Sequence, residues 1–337
     1  MIKNILITGS AGFIGFNLAK SLLDSDHCVH GYDGMTDYYD VRLKHKRNKI
    51  LKSYKKFSFT KGMLENEKVL EKAVTDFKPE IIIHLAAQAG VRDSVEKPRV
   101  YISSNITGTF NIIELANKLK VNHLLIASSS SVYGANKNIP YREIDKTQTQ
   151  LSIYAATKKA TESIAHSYSN LWKLPITVLR FFTVYGPWGR PDMALFKFTD
   201  SIIKGKQIDI YNNGEMYRDF TYIDDVVKSV TSLINVIPKS KNKANIDKKD
   251  SLSLVAPFRI INIGNSNKIK LLDFVEAIES CLKKKAIRNY MPIQKGDVHA
   301  TWANIDLLKK LTKYSPTTDF KEGIKKFIEW YLIHYKK

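Results

Sequence analysis

Short apolar runs alternate with stretches of helical period through the first half of the chain. The runs at 4–8, 28–32, 81–85, 124–128 and 176–181 are largely continuous rather than alternating, which predicts strands buried on both faces of a parallel sheet. Between them, 15–24, 67–76, 104–119 and 154–172 carry the periodicity of amphipathic helices. Strand and helix in alternation predict an α/β fold, a Rossmann-type doubly wound parallel sheet. Beyond Gly186 the pattern loosens into loops and short elements, with a turn at Asn212-Asn213-Gly214. Amphipathic helices are expected again at 271–282 and 321–335, in a smaller C-terminal α+β lobe. The expected division is 1–186 for the sheet domain, with some later segments returning to it, and 187–337 for the second lobe. The lysine- and asparagine-rich stretch 238–253 reads as an exposed insertion. No internal repeat is visible.

Composition narrows the class. A chain of 337 residues, 44% of them hydrophobic, can bury a full core. No apolar run reaches transmembrane length, and Met1 to Thr8 is strand-like rather than a charged leader, so no membrane partner is expected. Two cysteines far apart, Cys28 and Cys281, suit a reducing compartment and a cytoplasmic protein. The net charge of +20 comes from lysines spread along the chain without interleaved aromatics. That distribution describes a solvated surface, and no nucleic-acid partner is expected. No histidine has a partner at metal-ligand spacing, so no metal is expected.

The first run leads directly into Gly9-Ser10-Ala11-Gly12-Phe13-Ile14-Gly15. Glycines at this spacing permit a tight turn, close backbone approach to a pyrophosphate, and close packing of helix on strand. The helix that follows offers free N–H groups and the positive end of its dipole. Asp33 closes the second run eighteen residues beyond Gly15. A carboxylate there accepts from ribose hydroxyls and repels a 2′-phosphate, which selects NAD over NADP. Arg42 and Lys44 follow later, one of them a further candidate to reach the adenosine. Leu85, Ala86 and Ala87 end the third run at the same sheet edge, where small residues let a cofactor lie close. His84 reads as a satisfied strand-end histidine.

Four serines, Ser128 to Ser131, close the fourth run, where open α/β sheets place ligands. Some twenty-five residues on come Tyr154 and Lys158, four apart and so on one helix face. A cation held beside a phenol favours the phenolate, and a serine hydroxyl nearby can relay a proton to it.

Here the chain resembles the extended short-chain dehydrogenase/reductase family, and within it the UDP-glucuronate 4-epimerases. The likeness is carried by Ala86-Ala87-Gln88-Ala89-Gly90-Val91-Arg92, by Tyr154 to Ala160, by Arg180 to Ala194, and by Arg218 to Asp225. It runs from Ile2 to the C-terminal helix. The resemblance implies Ser129, Tyr154 and Lys158 as the catalytic set, with Tyr154 as base and Lys158 on the nicotinamide ribose. It adds Asn105 to the cofactor-binding residues. It implies Arg218 on the substrate diphosphate, with Arg92, Tyr211 and Asp297 also on the substrate side. Thr183, Ser130 and Ser131 become short hydroxyls for a C6 carboxylate, and Arg190 a second group near the sugar. Related dehydratases resemble Thr-Asp-Glu and decarboxylases Thr-Ser-Glu where this chain has Ser129-Ser130-Ser131, which disfavours both chemistries. The activity implied is NAD-dependent 4-epimerisation of UDP-glucuronate to UDP-galacturonate through a 4-keto sugar, by a homodimer. A 4-epimerase of a neutral or N-acetylated UDP-hexose stays open beside it, with decarboxylation behind. So does a different class, a non-catalytic NAD-binding protein with a basic surface for nucleic acid. Three positions depart from the pattern. Met63 stands where an aspartate usually meets the adenine, Gly34 where asparagine follows the acid, and Asn304 where an aspartate is usual.

Overall fold

Strand β1 (Asn4–Thr8) lies at the centre of the sheet, and its Ile5, Leu6 and Ile7 are wholly buried because helices cover both faces. The computed structural model describes residues 2–240, 247, 249–294 and 296–335. After β1 the chain builds α1 (Phe13–Asp24), β2 (Cys28–Asp33), α2 (Val41–Leu51), β3 (Phe57–Lys61), α3 (Glu67–Phe77) and β4 (Ile81–His84). Strands β5 (His123–Ser129) and β6 (Ile176–Phe181) follow, separated by the long helix Ile153–Trp172. A last strand, Phe258–Ile263, returns to pair parallel with β6. Across the sheet the order is Phe258–Ile263, β6, β5, β4, β1, β2, β3, seven strands all parallel. The chain therefore reverses direction between β1 and β4, and the crevice at their carboxyl ends is where such sheets bind ligands.

The predicted strands and helices are present with small shifts in their ends. The helix expected over 104–119 is in fact two pieces, a π-helical stretch Ile102–Thr107 and then Gly108–Lys118. Three of the elements that escaped the pattern belong to the central sheet and the helices on it. Helix α2 is written Val-Arg-Leu-Lys-His-Lys-Arg-Asn-Lys-Ile-Leu and looks like a charge run, yet it buries Leu43, Lys44, Arg47, Asn48 and Leu51. Strand β3 sits at the sheet edge and is only half-covered, so it shows little apolar continuity. The strand Phe258–Ile263 carries Arg259 and Asn262 amid its apolar residues.

Of the stretch 238–253, residues 241–246 and 248 lie outside the described residues. Its flanks are tied down rather than free: Pro238 and Leu252 are buried, and Asp250 forms an ion pair with Arg259 at 3.0 Å. Lys336 and Lys337 of the C-terminal tail, and Lys295, also lie outside.

The C-terminal lobe is small sheets and helices on an aromatic base. Gln207–Tyr211 pairs parallel with Ile287–Met291, and Tyr217–Arg218 lies between Ile269–Lys270 and Ala300–Thr301. Phe220 stacks on Phe274 at 3.9 Å, with Tyr185 edge-on to both. Among the described residues no helix is long and apolar enough to cross a membrane.

Candidate active site

The glycine loop leaves β1 at Gly9, whose φ of +74° only glycine adopts without strain. A side chain at Gly9 would also press on Ala86, in the loop after β4, at 2.8 Å from its nitrogen. A Cβ at Gly15 would overlap the Gly9 carbonyl oxygen, so α1 packs directly against the turn. Gly12 caps α1 with no side-chain bond to the first turn, which leaves those N–H groups for a ligand. Phe13 and Ile14 open the helix. The Asp33 carboxylate is oriented by the backbone N–H groups of Ala11 (3.0 Å) and Met35 (2.8 Å) and retains free lone pairs. This cradle, kept clear of side chains and closed by one carboxylate, fits a dinucleotide with a free ribose diol. Arg42 faces away on the surface, bound to Asp40 at 2.9 Å, and Lys44 is held by the Thr36 carbonyl at 2.7 Å. Met63 and Gly34, separate oddities in the sequence, touch: a Cβ on Gly34 would stand 2.5 Å from the Met63 sulfur.

His84 is satisfied at both ring nitrogens, by Thr8 at 2.7 Å and Thr109 at 2.9 Å, and burial pushes its pKa down to about 3. It is a neutral strut. Asn105 donates to the Gln88 carbonyl and to Thr157, and accepts from the Gln88 N–H. It thereby ties the loop carrying Leu85, Ala86 and Ala87 to the helix of Tyr154. Its carboxamide is occupied by protein contacts, so its service to the cofactor site is to hold that loop.

Ser129 ends β5, and its hydroxyl accepts from the Ser131 N–H and lies 3.2 Å from the Ser131 hydroxyl. Ser152 caps the helix Ile153–Trp172 through the Ala155 N–H, which starts it one residue before Tyr154. Lys158 is buried and donates to the Ala127 carbonyl on β5 at 2.8 Å. Burial pulls its pKa down to about 8. The Tyr154 pKa is raised above its usual 10, because withdrawal from water outweighs the Ser129 hydrogen bond and the field of Arg190. The sequence-based expectation has Lys158 lowering the phenol's pKa. In the structure the lysine is turned to the Ala127 carbonyl and burial disfavours its charge, and the pull that opposes burial of the phenol comes from Ser129 and Arg190.

Beneath the serines lies a buried polar network. Arg180 on β6 grips Glu162 with Nε and a terminal nitrogen at 2.9 and 2.8 Å, and Ser128 donates to the same carboxylate at 2.7 Å. Arg180 also lies over the Tyr133 ring, whose hydroxyl donates to Asn262 at 2.7 Å. Asn262 donates its backbone N–H to Glu143. Burial lifts the Glu143 pKa from 4.5 to about 7. A carboxyl raised in this way favours the folded state below about pH 4.5, and that advantage is lost as pH climbs through 7. Glu143→Gln keeps the accepting oxygen and cannot ionise. Melting curves should show it about as stable as the parent at pH 5 and more stable at pH 8, by up to ~3 kcal/mol. Equal differences at both pH values would contradict this.

The sugar-side residues fall into two groups. Thr183 is half-buried beside β6, and Arg190 lies in the turn after it, over the Tyr38 ring at 5.5 Å and paired with Asp192 at 3.0 Å. Arg190 and Ser129 both act on Tyr154, so Arg190, the serines and the tyrosine border one space. The second group spans the two halves of the molecule. Arg92, after β4, pairs with Asp297 at 3.2 Å and lies over the Tyr211 ring at 4.5 Å. Arg218 feels the charges of both Asp297 and Arg92, and donates to the carbonyls of Tyr217 and His299. Burial draws its pKa down. Four residues far apart in sequence thus meet in one charged aromatic cluster.

A parallel sheet with a glycine cradle at its switch point, and a Ser-Tyr-Lys set one strand away, defines a dinucleotide-dependent enzyme of the short-chain dehydrogenase/reductase type. Residues 5–246 match the model of the NAD dependent epimerase/dehydratase family, and the chain belongs to that family. It is 50% identical over 98% of both chains to a probable UDP-glucuronate 4-epimerase of Rhizobium meliloti. It is 43% identical to UDP-glucuronate 4-epimerase 4 of Arabidopsis thaliana, over 98% of this chain and 76% of that one. Among solved structures it resembles UDP-glucuronic acid 4-epimerase of Bacillus cereus in complex with UDP-glucuronic acid and NAD. The TM-score is 0.86 at 31% identity, covering 98% of this chain and 99% of the other.

Proposed function

We propose that this chain is an NAD-dependent UDP-sugar 4-epimerase that interconverts UDP-glucuronate and UDP-galacturonate. The observation that carries the uronate reading is the trio Ser129-Ser130-Ser131 beside Tyr154, with hydroxyls and no carboxylate at 130 and 131. Expelling a C6 hydroxyl needs an acid and a base beside it, which this trio lacks. Its short donors suit a C6 carboxylate instead. Likeness to the Rhizobium and Bacillus enzymes supports the same substrate.

Bound NAD supplies the acceptor for the C4 hydride and later its donor, and its oxidised ring sets a positive charge that favours the Tyr154 phenolate. Tyr154 takes the C4 hydroxyl proton, with Ser129 bridging hydroxyl and phenol. That leaves a 4-keto sugar. Arg218, Arg92, Asp297 and Tyr211 hold the UDP end while the sugar turns over, so binding energy remote from C4 retains the intermediate. Tyr154 then returns the proton at the inverted centre. A 4-keto uronate is a β-keto acid prone to lose carbon dioxide, and Ser130, Ser131 and Thr183 hold its carboxylate out of the geometry that permits this.

Ser130→Ala combined with Thr183→Ala should raise KM for UDP-glucuronate about tenfold or more and release a decarboxylated product, read by mass detection. Unchanged KM and a clean product would remove both residues from the carboxylate site. The division into a cofactor domain over 1–186, to which Phe258–Ile263 returns, and a UDP-sugar lobe over most of 187–337 is supported by six of the seven strands of the central sheet lying before residue 187. Free Cys28 and Cys281 support a cytoplasmic location. Phe110 and Trp172, exposed and joined through Tyr168 on two neighbouring helices, support a homodimer. A monomer in sedimentation at micromolar concentration would overturn the dimer.

A further inference from the structure

Arg47 holds a charge that the site described so far leaves unused. Its side chain is 0% exposed, and among the described residues no carboxylate forms an ion pair with it. Its guanidinium donates instead to the Ala11 carbonyl inside the glycine loop at 2.9 Å and to the Tyr39 hydroxyl at 2.7 Å. The other terminal nitrogen grips the Trp188 carbonyl, with Gly189 at 3.4 Å. Among the described residues the Nε–H has no partner. Burial draws the pKa of this arginine down, as expected for a cation short of counter-charge.

Two features give that arrangement a purpose. Carbonyl dipoles only partly offset a buried cation, and a dinucleotide pyrophosphate at the glycine loop would bring the missing negative charge. The same fork holds the turn that precedes Arg190. That turn is under tension: Trp188 has a left-handed φ of +63° and is wedged between Phe16 of α1 and Trp330. Arg190 in turn acts on Tyr154. One rigid guanidinium therefore bridges the cofactor loop and the sugar-side turn, whose chain positions are 177 residues apart (188 − 11).

We propose that Arg47 is a positioning residue that links occupancy of the glycine loop by a dinucleotide to placement of the Arg190 turn, so that cofactor and UDP-sugar bind cooperatively. The proposal rests on the glycine loop being the NAD site. Coupling of this kind is reciprocal: whatever NAD does for the sugar nucleotide, the sugar nucleotide does for NAD. A simple structural rivet would lower melting temperature and leave the size of that coupling unchanged.

The test uses the full chain in a Tyr154→Phe background, so that the sugar nucleotide is not turned over, with residual NAD removed and its absence checked, and titrates NAD and UDP-glucuronate calorimetrically, each alone and with the other saturating. This background should bind UDP-glucuronate about fivefold or more tighter when NAD is present. With Arg47→Met added, NAD affinity should fall about tenfold, and the enhancement should fall to nearly one. UDP-glucuronate affinity without NAD should change by less than about twofold. Arg47→Lys keeps the charge and loses the fork. It should recover most NAD affinity without the enhancement, and it serves alone if the methionine variant does not fold. Parental enhancement in either folded variant overturns the proposal. A Tyr154→Phe chain that binds NAD and UDP-glucuronate independently overturns the coupling alone, whereas one that binds UDP-glucuronate and no NAD overturns the cofactor reading with it.

Discussion

Tyr154→Phe is expected to lower turnover of UDP-glucuronate by about a thousandfold while leaving UDP affinity within about twofold of the parent. The ring stays in place: it packs edge-on against Tyr101 at 6.2 Å, a contact phenylalanine can keep. What disappears is the phenol proposed to take the C4 proton. Ser129 cannot take over, because a serine hydroxyl with no histidine or carboxylate hydrogen-bonded to it among the described residues is a poor base at neutral pH; Ser129 donates to the Ser131 hydroxyl. The phenol's raised pKa also fixes the sign of the pH dependence. Parent activity should increase with pH as more Tyr154 ionises, and the residual activity of the phenylalanine variant should lack that limb. Retained turnover with normal UDP binding would remove Tyr154 from the role of base.

Arg180→Met is expected to destabilise the fold by about 3–5 kcal/mol, enough to unfold many domains of this kind. Arg180 and Glu162 are 1% and 2% exposed, so deleting the arginine leaves a carboxylate among β5, β6 and the Tyr154 helix with only Ser128 and, at 3.4 Å, Lys159 for partners. Glu162 is held below its usual pKa by Arg180, which more than offsets its burial. A carboxylate depressed in this way contributes stability above about pH 4.5, lost as pH falls through its folded pKa. The parent should therefore lose this contribution in acid, and the variant should be fragile at neutral pH. Glu162→Gln in the Arg180→Met background should recover part of the loss, since the stranded charge is gone and Ser128 keeps an acceptor. Denaturant titration at pH 7 measures all three. An Arg180→Met chain as stable as the parent would mean that the pair contributes nothing net.

Much of the cofactor end was legible because its signals are local. Three glycines, a strand before them and an acid after them are fixed by chain geometry within some thirty residues. The Tyr154 and Lys158 pair was legible for the same reason, although its electrostatics were not. Whether Lys158 charges the tyrosine or bonds the Ala127 carbonyl depends on β5, thirty-one residues earlier. Arg47 was illegible because its partners are Ala11 and Trp188, and in sequence it is one more cation in a basic run. Glu143, Arg180 and Asn262 were hidden likewise, since each is satisfied by residues brought in by the strand Phe258–Ile263 or by the loop before the Tyr154 helix. That strand itself escaped because its polar residues are paired by Asp250, in the loop just before it, and by the Tyr141 and Asn304 carbonyls. Met63 and Gly34 looked like two departures. In three dimensions they are one, since glycine at 34 makes the room that the methionine sulfur fills.

The central claim is tested most directly by incubating the purified chain with UDP-glucuronate and NAD and separating the products by anion exchange with mass detection. The expected product has unchanged mass and co-elutes with UDP-galacturonate. A product lighter by one carbon dioxide, or turnover of UDP-glucose or UDP-N-acetylglucosamine with none of UDP-glucuronate, would contradict the account.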